Sequence, residues 1–146
     1  MTPKTVIVTR ASQGIGAAVD NLFLDRAGGG VTINVLSDVT WRPIPTQSAY
    51  SASKAASWSF ANTLRVQLKQ QRMHVLALHM GFVDTDLIRG LDVPKSSPAE
   101  VVRKTLDGLA AGKLEVLADE PTRPLKRGLC LEQPSYFGPA QPGMWP

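Results

Sequence analysis

The sequence predicts an α/β fold in which a parallel sheet of about four strands is flanked by helices. Three observations carry this. Short β-branched runs alternate with longer stretches of helical periodicity, the order expected of a sheet whose strands are joined by crossover helices. The strand-like runs are apolar on both faces, as strands covered on both sides must be. The chain has 146 residues, 43% of them hydrophobic and 19% charged, which suits one domain with a single core.

Taken in order, KTVIVT at residues 4–9 is the first strand. The turn RASQG leads into a helix over residues 15–26, where Ile15, Ala18, Val19, Leu22 and Phe23 recur at helical spacing. Glycines at 28–30 end that helix, since glycine accepts the positive φ of a helix C-terminus, and residues 31–36 form the second strand. Residues 37–49 are loop, with Pro43 and Pro45 opposing regular structure. The longest helical signal covers residues 50–72, with Ala52, Ala55, Ala56, Phe60, Leu64 and Leu68 on the face expected to be buried. MHVLALH at 73–79 is the third strand, and residues 84–93 are loop with a short helical turn. Ser97, with Glu100 three residues on, forms a capping box that opens a helix over 98–111. Gly112 closes it, and residues 114–118 form the fourth strand. The domain is expected to occupy residues 1–129. The proline-rich segment 130–146 is expected to be a poorly ordered tail.

Composition narrows the function classes. Sixteen basic residues against twelve acidic ones leave a net charge of +4. The basic residues fall in small separate groups that read as solvated faces rather than a nucleic-acid footprint. Cys130 is the single cysteine, so no intramolecular disulfide and no cysteine metal cluster can form. The N-terminus lacks the apolar core of a secretion signal, and no apolar run approaches the ~20 residues that span a bilayer. The expectation is a soluble, cytoplasmic chain without a metal, a nucleic-acid partner or a membrane partner.

Three constellations carry chemistry. The first is TRASQGIG at residues 9–16, between the first strand and its helix. Glycines there let backbone N–H groups approach a pyrophosphate, and the helix N-terminus supplies partial positive charge. A tight turn that merely needs glycine explains the same letters equally well. The second is YSASK at residues 50–54. Tyr50 and Lys54 lie one helical turn apart on one face, where the ammonium favours the phenolate that a general acid/base needs. Ser37 ends the preceding strand, at the carboxyl edge where open α/β sheets place ligands, although a serine there also reads as a loop cap. The third is MGFVDT at residues 80–85, after the third strand and at the same edge, with Gly81 permitting close backbone approach and Thr85 offering a hydroxyl.

In this order, with Ser37 thirteen residues before Tyr50, the constellations resemble the short-chain dehydrogenase/reductase family over residues 4–129. The resemblance implies a Rossmann-like parallel sheet and an oxidoreductase that interconverts a carbonyl and an alcohol by hydride transfer with NAD or NADP. It implies Ser37, Tyr50 and Lys54 as catalytic residues. Tyr50 would move the proton, Ser37 would orient the substrate oxygen, and Lys54 would support the phenolate and hold the nicotinamide ribose. It implies cofactor contacts at Thr9, Ser12, Gln13, Gly14, Ile15, Gly16, Tyr50, Lys54, Gly81, Val83 and Thr85. Its partner would be a small carbonyl or alcohol substrate, and it admits a homo-oligomer built on the long Tyr-bearing helix.

The sequence also departs from the family's pattern. Arg10 stands where the first motif glycine is expected, and Met80 stands where a proline is usual before Gly81. In the family the first helix leads to a further strand, and more strand–helix units precede the serine strand. Here residues 27–30 join that helix straight to it, so an internal segment is missing. A right-handed crossover then requires the first helix to change face, or the strand order to change; otherwise the connection is left-handed. The second reading is therefore a non-catalytic remnant or interaction module that has lost cofactor binding.

Overall fold

The computed structural model of the chain describes residues 6–9 and 30–132. Four parallel strands form one sheet in the order β1-β2-β3-β4, with β1 at Val6–Thr9, β2 at Gly30–Val35, β3 at Met73–His79 and β4 at Glu115–Leu117. Among the described residues the α-helices are α1 at Ser48–Gln67, α2 at Pro98–Ala110 and α3 at Thr122–Gly128. The expected α/β, Rossmann-like architecture with four parallel strands is what the chain adopts.

The missing segment leaves its mark on strand order. β1 pairs directly with the serine-bearing β2, from Val6 opposite Val31 to Thr9 opposite Asn34. No other strand lies between the two in the sheet. The helix expected over residues 15–26 lies outside the described residues.

Alternation along the strands divides the core into two layers. Val31 and Ile33 of β2 and Leu76 and Leu78 of β3 face α2, where they pack with Val101, Val116 and Ala118. Met73 and Val75 face α1, against Ala61, Leu64 and Leu68. Both faces of β3 are thereby buried, which is why its sequence reads as an unbroken apolar run.

Helix α1 differs from expectation in two ways. It ends at Gln67 rather than near residue 72, because the chain reverses there: Gln71 and Arg72 donate to the Leu68 and Lys69 carbonyls, and Arg72 takes a φ of 56°. Its buried face is also rotated. Ser51, Lys54, Ala61, Leu64 and Leu68 are buried, whereas Ala52 and Ala56 are exposed. Alanines favour the helix without choosing its face, and the leucines, larger apolar groups, decide which side goes inward.

The Ser97 half of the capping box is formed, its hydroxyl accepting the Glu100 N–H at 3.1 Å, while the Glu100 carboxylate pairs with Lys104 at 2.7 Å. Helix α2 packs so closely on β4 that a Cβ at Gly108 would overlap Val116 Cγ2. Gly112 closes the helix at a φ of +67° with open space around its Cβ position. The two glycines are thus needed for different reasons. Gly108→Ala is expected to cost about 1–3 kcal/mol through overpacking, and Gly112→Ala about 1 kcal/mol through backbone conformation alone. Denaturant unfolding checks both, and a compensating Val116→Ala change should relieve only the Gly108 variant. Helix α3, in a stretch left unassigned by the sequence, is held at its start by Asp119, whose Oδ1 accepts the Thr122 N–H at 2.9 Å.

Candidate active site

The carboxyl ends of β2 and β3 and the first turns of α1 come together at one edge of the sheet. Leu36 and Asp38 donate backbone N–H groups to the Leu78 and Met80 carbonyls at 2.8 and 2.9 Å, so the chain leaving β2 is laced to the end of β3. Met80, the departure from proline, takes part in this lacing and packs against the core.

Ser37 follows β2 and caps a short 3-10 turn at Asp38–Thr40. Its hydroxyl accepts the Val39 N–H at 3.4 Å and donates to Asp38 Oδ1 at 3.1 Å. Asp38 Oδ2 in turn accepts Arg42 Nη2 at 2.7 Å. The loop-cap reading of Ser37 is therefore realised in the resting geometry.

Tyr50 and Lys54 sit in the opening turns of α1. The alanine-rich sequence favours helix here, and the segment begins just after Pro45 and its own 3-10 turn. The pair lies on one helix face as the spacing requires, with Lys54 Nζ 5.6 Å from the centre of the Tyr50 ring. Their environments differ. Tyr50 is 45% exposed, whereas Lys54 is 8% exposed and its Nζ donates to the Val35 carbonyl at 3.0 Å. That bond ties the helix to the last residue of β2, two residues before Ser37. Ser37, Tyr50 and Lys54 thus gather at the end of one strand and the start of the helix that follows it.

The remaining predicted positions divide. Gly81 follows β3, and its N–H donates to Asp119 Oδ2, joining this loop to α3. Val83 bridges Ser96 and Thr85 is exposed, both in a loop closed at its neck by the Asp84 N–H to Ser96 carbonyl and Ser96 N–H to Phe82 carbonyl bonds, each 2.9 Å. Thr9 ends β1 opposite Asn34. Ser12, Gln13, Gly14, Ile15 and Gly16, with Arg10, lie outside the described residues.

Behind Ser37 lies a buried cluster that motif reading did not single out. His79, the last residue of β3, is fully buried and its Nδ1 lies 3.4 Å from the Ser37 carbonyl. A carbonyl can only accept, so this imidazole carries its proton on Nδ1. Its ring stacks on Trp41 at 4.0 Å, and Trp41 meets Trp58 edge-on at 5.9 Å. Lys126 Nζ stands 4.8 and 4.7 Å from the two indole rings and 2.7 Å from Glu115 Oε2, while Trp58 Nε1 donates to Glu115 Oε1 at 2.7 Å. Burial drives the His79 pKa down to about 4, against the raising influence of Glu115. Burial alone would raise the Glu115 carboxyl, but hydrogen bonds from Lys126 and Trp58 outweigh it and hold the group below its ordinary value. The one sequence signal for this cluster was a histidine closing an apolar strand, which reads equally as core.

Comparison with known proteins places the chain. A family model described as short chain dehydrogenase matches residues 20–94, a stretch that includes Ser37, Tyr50, Lys54, Gly81, Val83 and Thr85 but not the glycine turn. Over 90 residues the chain is 36% identical to the uncharacterized oxidoreductase DltE of Bacillus subtilis (strain 168), covering 58% of this chain and 36% of that protein. In fold it is similar to a short chain dehydrogenase from Burkholderia cenocepacia J2315 crystallised in complex with NADP. That match has a TM-score of 0.69 and 23% identity and covers 88% of this chain and 65% of the other. It is likewise similar to a short chain dehydrogenase/reductase from Burkholderia phymatum in complex with NAD, with a TM-score of 0.65 and 18% identity, covering 77% of this chain and 51% of the other. The chain belongs to the short-chain dehydrogenase/reductase family. It spans less than two thirds of the length of these relatives. Among the described residues no helix is long and apolar enough to cross a membrane, and no group of three or more His, Cys, Asp or Glu side chains is placed to hold a metal ion.

Proposed function

We propose that the chain binds a nicotinamide dinucleotide and interconverts a small carbonyl compound and its alcohol. The observation that carries this reading is the Tyr50–Lys54 pair, a half-exposed phenol with a buried ammonium 5.6 Å from its ring, at the carboxyl edge of a parallel sheet. Family membership and structural neighbours crystallised with NADP or NAD support the choice of cofactor class.

The gathering of Tyr50 and Lys54 at the carboxyl edge of the sheet supports a nicotinamide end there. Lys54 would meet a ribose hydroxyl, Val83 and Thr85 would meet the carboxamide, and Gly81 would lie beside them. Thr9, Ser12, Gln13, Gly14, Ile15 and Gly16 would meet the pyrophosphate or the adenosine ribose. When bound, the nicotinamide supplies or accepts the hydride. Tyr50 gives its phenolic proton to the carbonyl oxygen in reduction and recovers it in oxidation. Lys54 offsets the negative charge that develops on the phenol, an effect strengthened by its burial. Ser37, from the neighbouring strand, holds the substrate oxygen. The chain would act in the cytoplasm, and pairing of two copies is compatible with the exposed outer face of α1.

The test is cofactor-dependent turnover. Purified chain is mixed with NADPH or NADH and a panel of aldehydes and ketones, and loss of reduced-nicotinamide absorbance is followed. Turnover above the protein-free rate is expected with at least one pair. No turnover together with no cofactor binding would instead favour the non-catalytic remnant.

A further inference from the structure

In the resting geometry the Ser37 hydroxyl proton is already engaged by Asp38 rather than directed at the groove. A serine hydroxyl carries one donor and two acceptor sites. Its donor is given to Asp38 Oδ1 at 3.1 Å, and one acceptor site takes the Val39 N–H at 3.4 Å. Only a lone pair remains. A carbonyl oxygen, and the more negative oxygen it becomes as hydride arrives, can only accept. It gains nothing from an oxygen that can also only accept.

Asp38 is held in this role rather than drifting into it. Its side chain is 11% exposed, and Oδ2 is fixed by Arg42 Nη2 at 2.7 Å, a charge-assisted bond that keeps the carboxylate aimed. The Ser37 backbone is fixed from behind by His79 and by the Thr40 N–H at 3.2 Å. The rotor is therefore the only soft part of the arrangement. Its preferred direction is set by the strongest acceptor within reach, the Asp38 carboxylate.

We propose that Asp38 is a positioning residue that, with Arg42, turns the Ser37 hydroxyl proton away from the substrate oxygen and so restrains the reaction. The inference rests on the reading above, in which Ser37 meets that oxygen. An amide at position 38 reverses the sense of the bond: its N–H donates to Ser37 Oγ, and the serine proton is released toward the groove. One well-aimed donor to a developing oxyanion is worth up to about 10²–10³-fold in rate. Because the donor acts on the transition state shared by both directions, reduction and oxidation gain by the same factor.

The experiment is a double-mutant cycle on the full chain, with cofactor binding followed by calorimetry in every variant. Asp38→Asn is expected to raise kcat by about tenfold or more with little change in KM. The gain should vanish when Asp38→Asn is made in a Ser37→Ala background, whose own kcat is the reference for that arm of the cycle. Arg42→Met, which loosens the carboxylate without touching the serine, should give a smaller gain in the same direction and stands in if Asp38→Asn fails to fold. A slower or unchanged Asp38→Asn enzyme, or a gain that survives the loss of Ser37, would overturn the inference. Cofactor binding without turnover in every variant would overturn the inference together with the catalytic half of the reading above, leaving cofactor binding alone. Loss of cofactor binding in the unaltered chain would overturn both.

Discussion

Tyr50→Phe is expected to lower cofactor-dependent turnover by about 10²–10⁴-fold, the usual worth of a positioned general acid, while leaving the melting temperature within a degree or two of the unaltered chain. The geometry sets both halves of this result. The phenol is 45% exposed, so removing its oxygen strands no buried partner. The ring itself stays, and with it the face that Lys54 Nζ approaches at 5.6 Å. Helix α1 loses nothing that holds it to the sheet, because its anchors are the buried leucines and the Lys54 bond to Val35. A stability effect would therefore point to a structural phenol. Lys54→Ala should fail differently. It would lower turnover and also destabilise the fold, since it breaks the bond to the Val35 carbonyl. Retained turnover in the phenylalanine variant, measured beside its thermal melt, would remove Tyr50 from the reaction.

The second large effect is acid lability centred on His79. The unfolded imidazole takes up a proton near its ordinary pKa of 6.5, whereas the buried one resists until about pH 4. Between those values the unfolded chain binds the extra proton, so stability falls as pH falls through this window. The full difference corresponds to about 3 kcal/mol at most, a large share of a small domain's stability. The charged groups around the imidazole are Glu115, Lys126 and Arg65. Glu115 is also lost to acid, but its carboxyl is held below 4.5, so its contribution disappears at lower pH than most of the histidine's. Protonation adds its proton at Nε2 and leaves the Nδ1–H bond to the Ser37 carbonyl in place, so the effect falls on the burial of the ring and not on that bond. Urea unfolding at steps from pH 7.5 to 4.5 should show the decline, and His79→Asn should flatten it at the cost of lower stability throughout. A pH-independent unfolding midpoint over that range would contradict the assignment.

How much of this was legible in the sequence depended on which residues signal through period and which through contact. β3 and α2 were readable almost to the residue, because β3 is apolar on both faces and α2 opens on the Ser97 cap. The buried face of α1 was misread because alanines fit either side of a helix, and the Leu64 and Leu68 contacts with Met73 and Val75 decided the matter. Helix α3 was missed because Pro121 and Pro124 flank and interrupt a short sequence whose support is the distant Asp119. Ser37, Tyr50 and Lys54 were found through spacing. Asp38, Arg42 and the His79–Trp41–Trp58–Lys126 cluster were not, since their roles arise only when β2, β3, α1 and α3 meet.

Calorimetric titration of NADPH and of NADH into the purified chain, and into Lys54→Ala, reaches the central claim most directly. Saturable binding of at least one of the two to the unaltered chain, weakened in the lysine variant, is the predicted result. Absence of binding by either at millimolar concentration to a folded chain would contradict it.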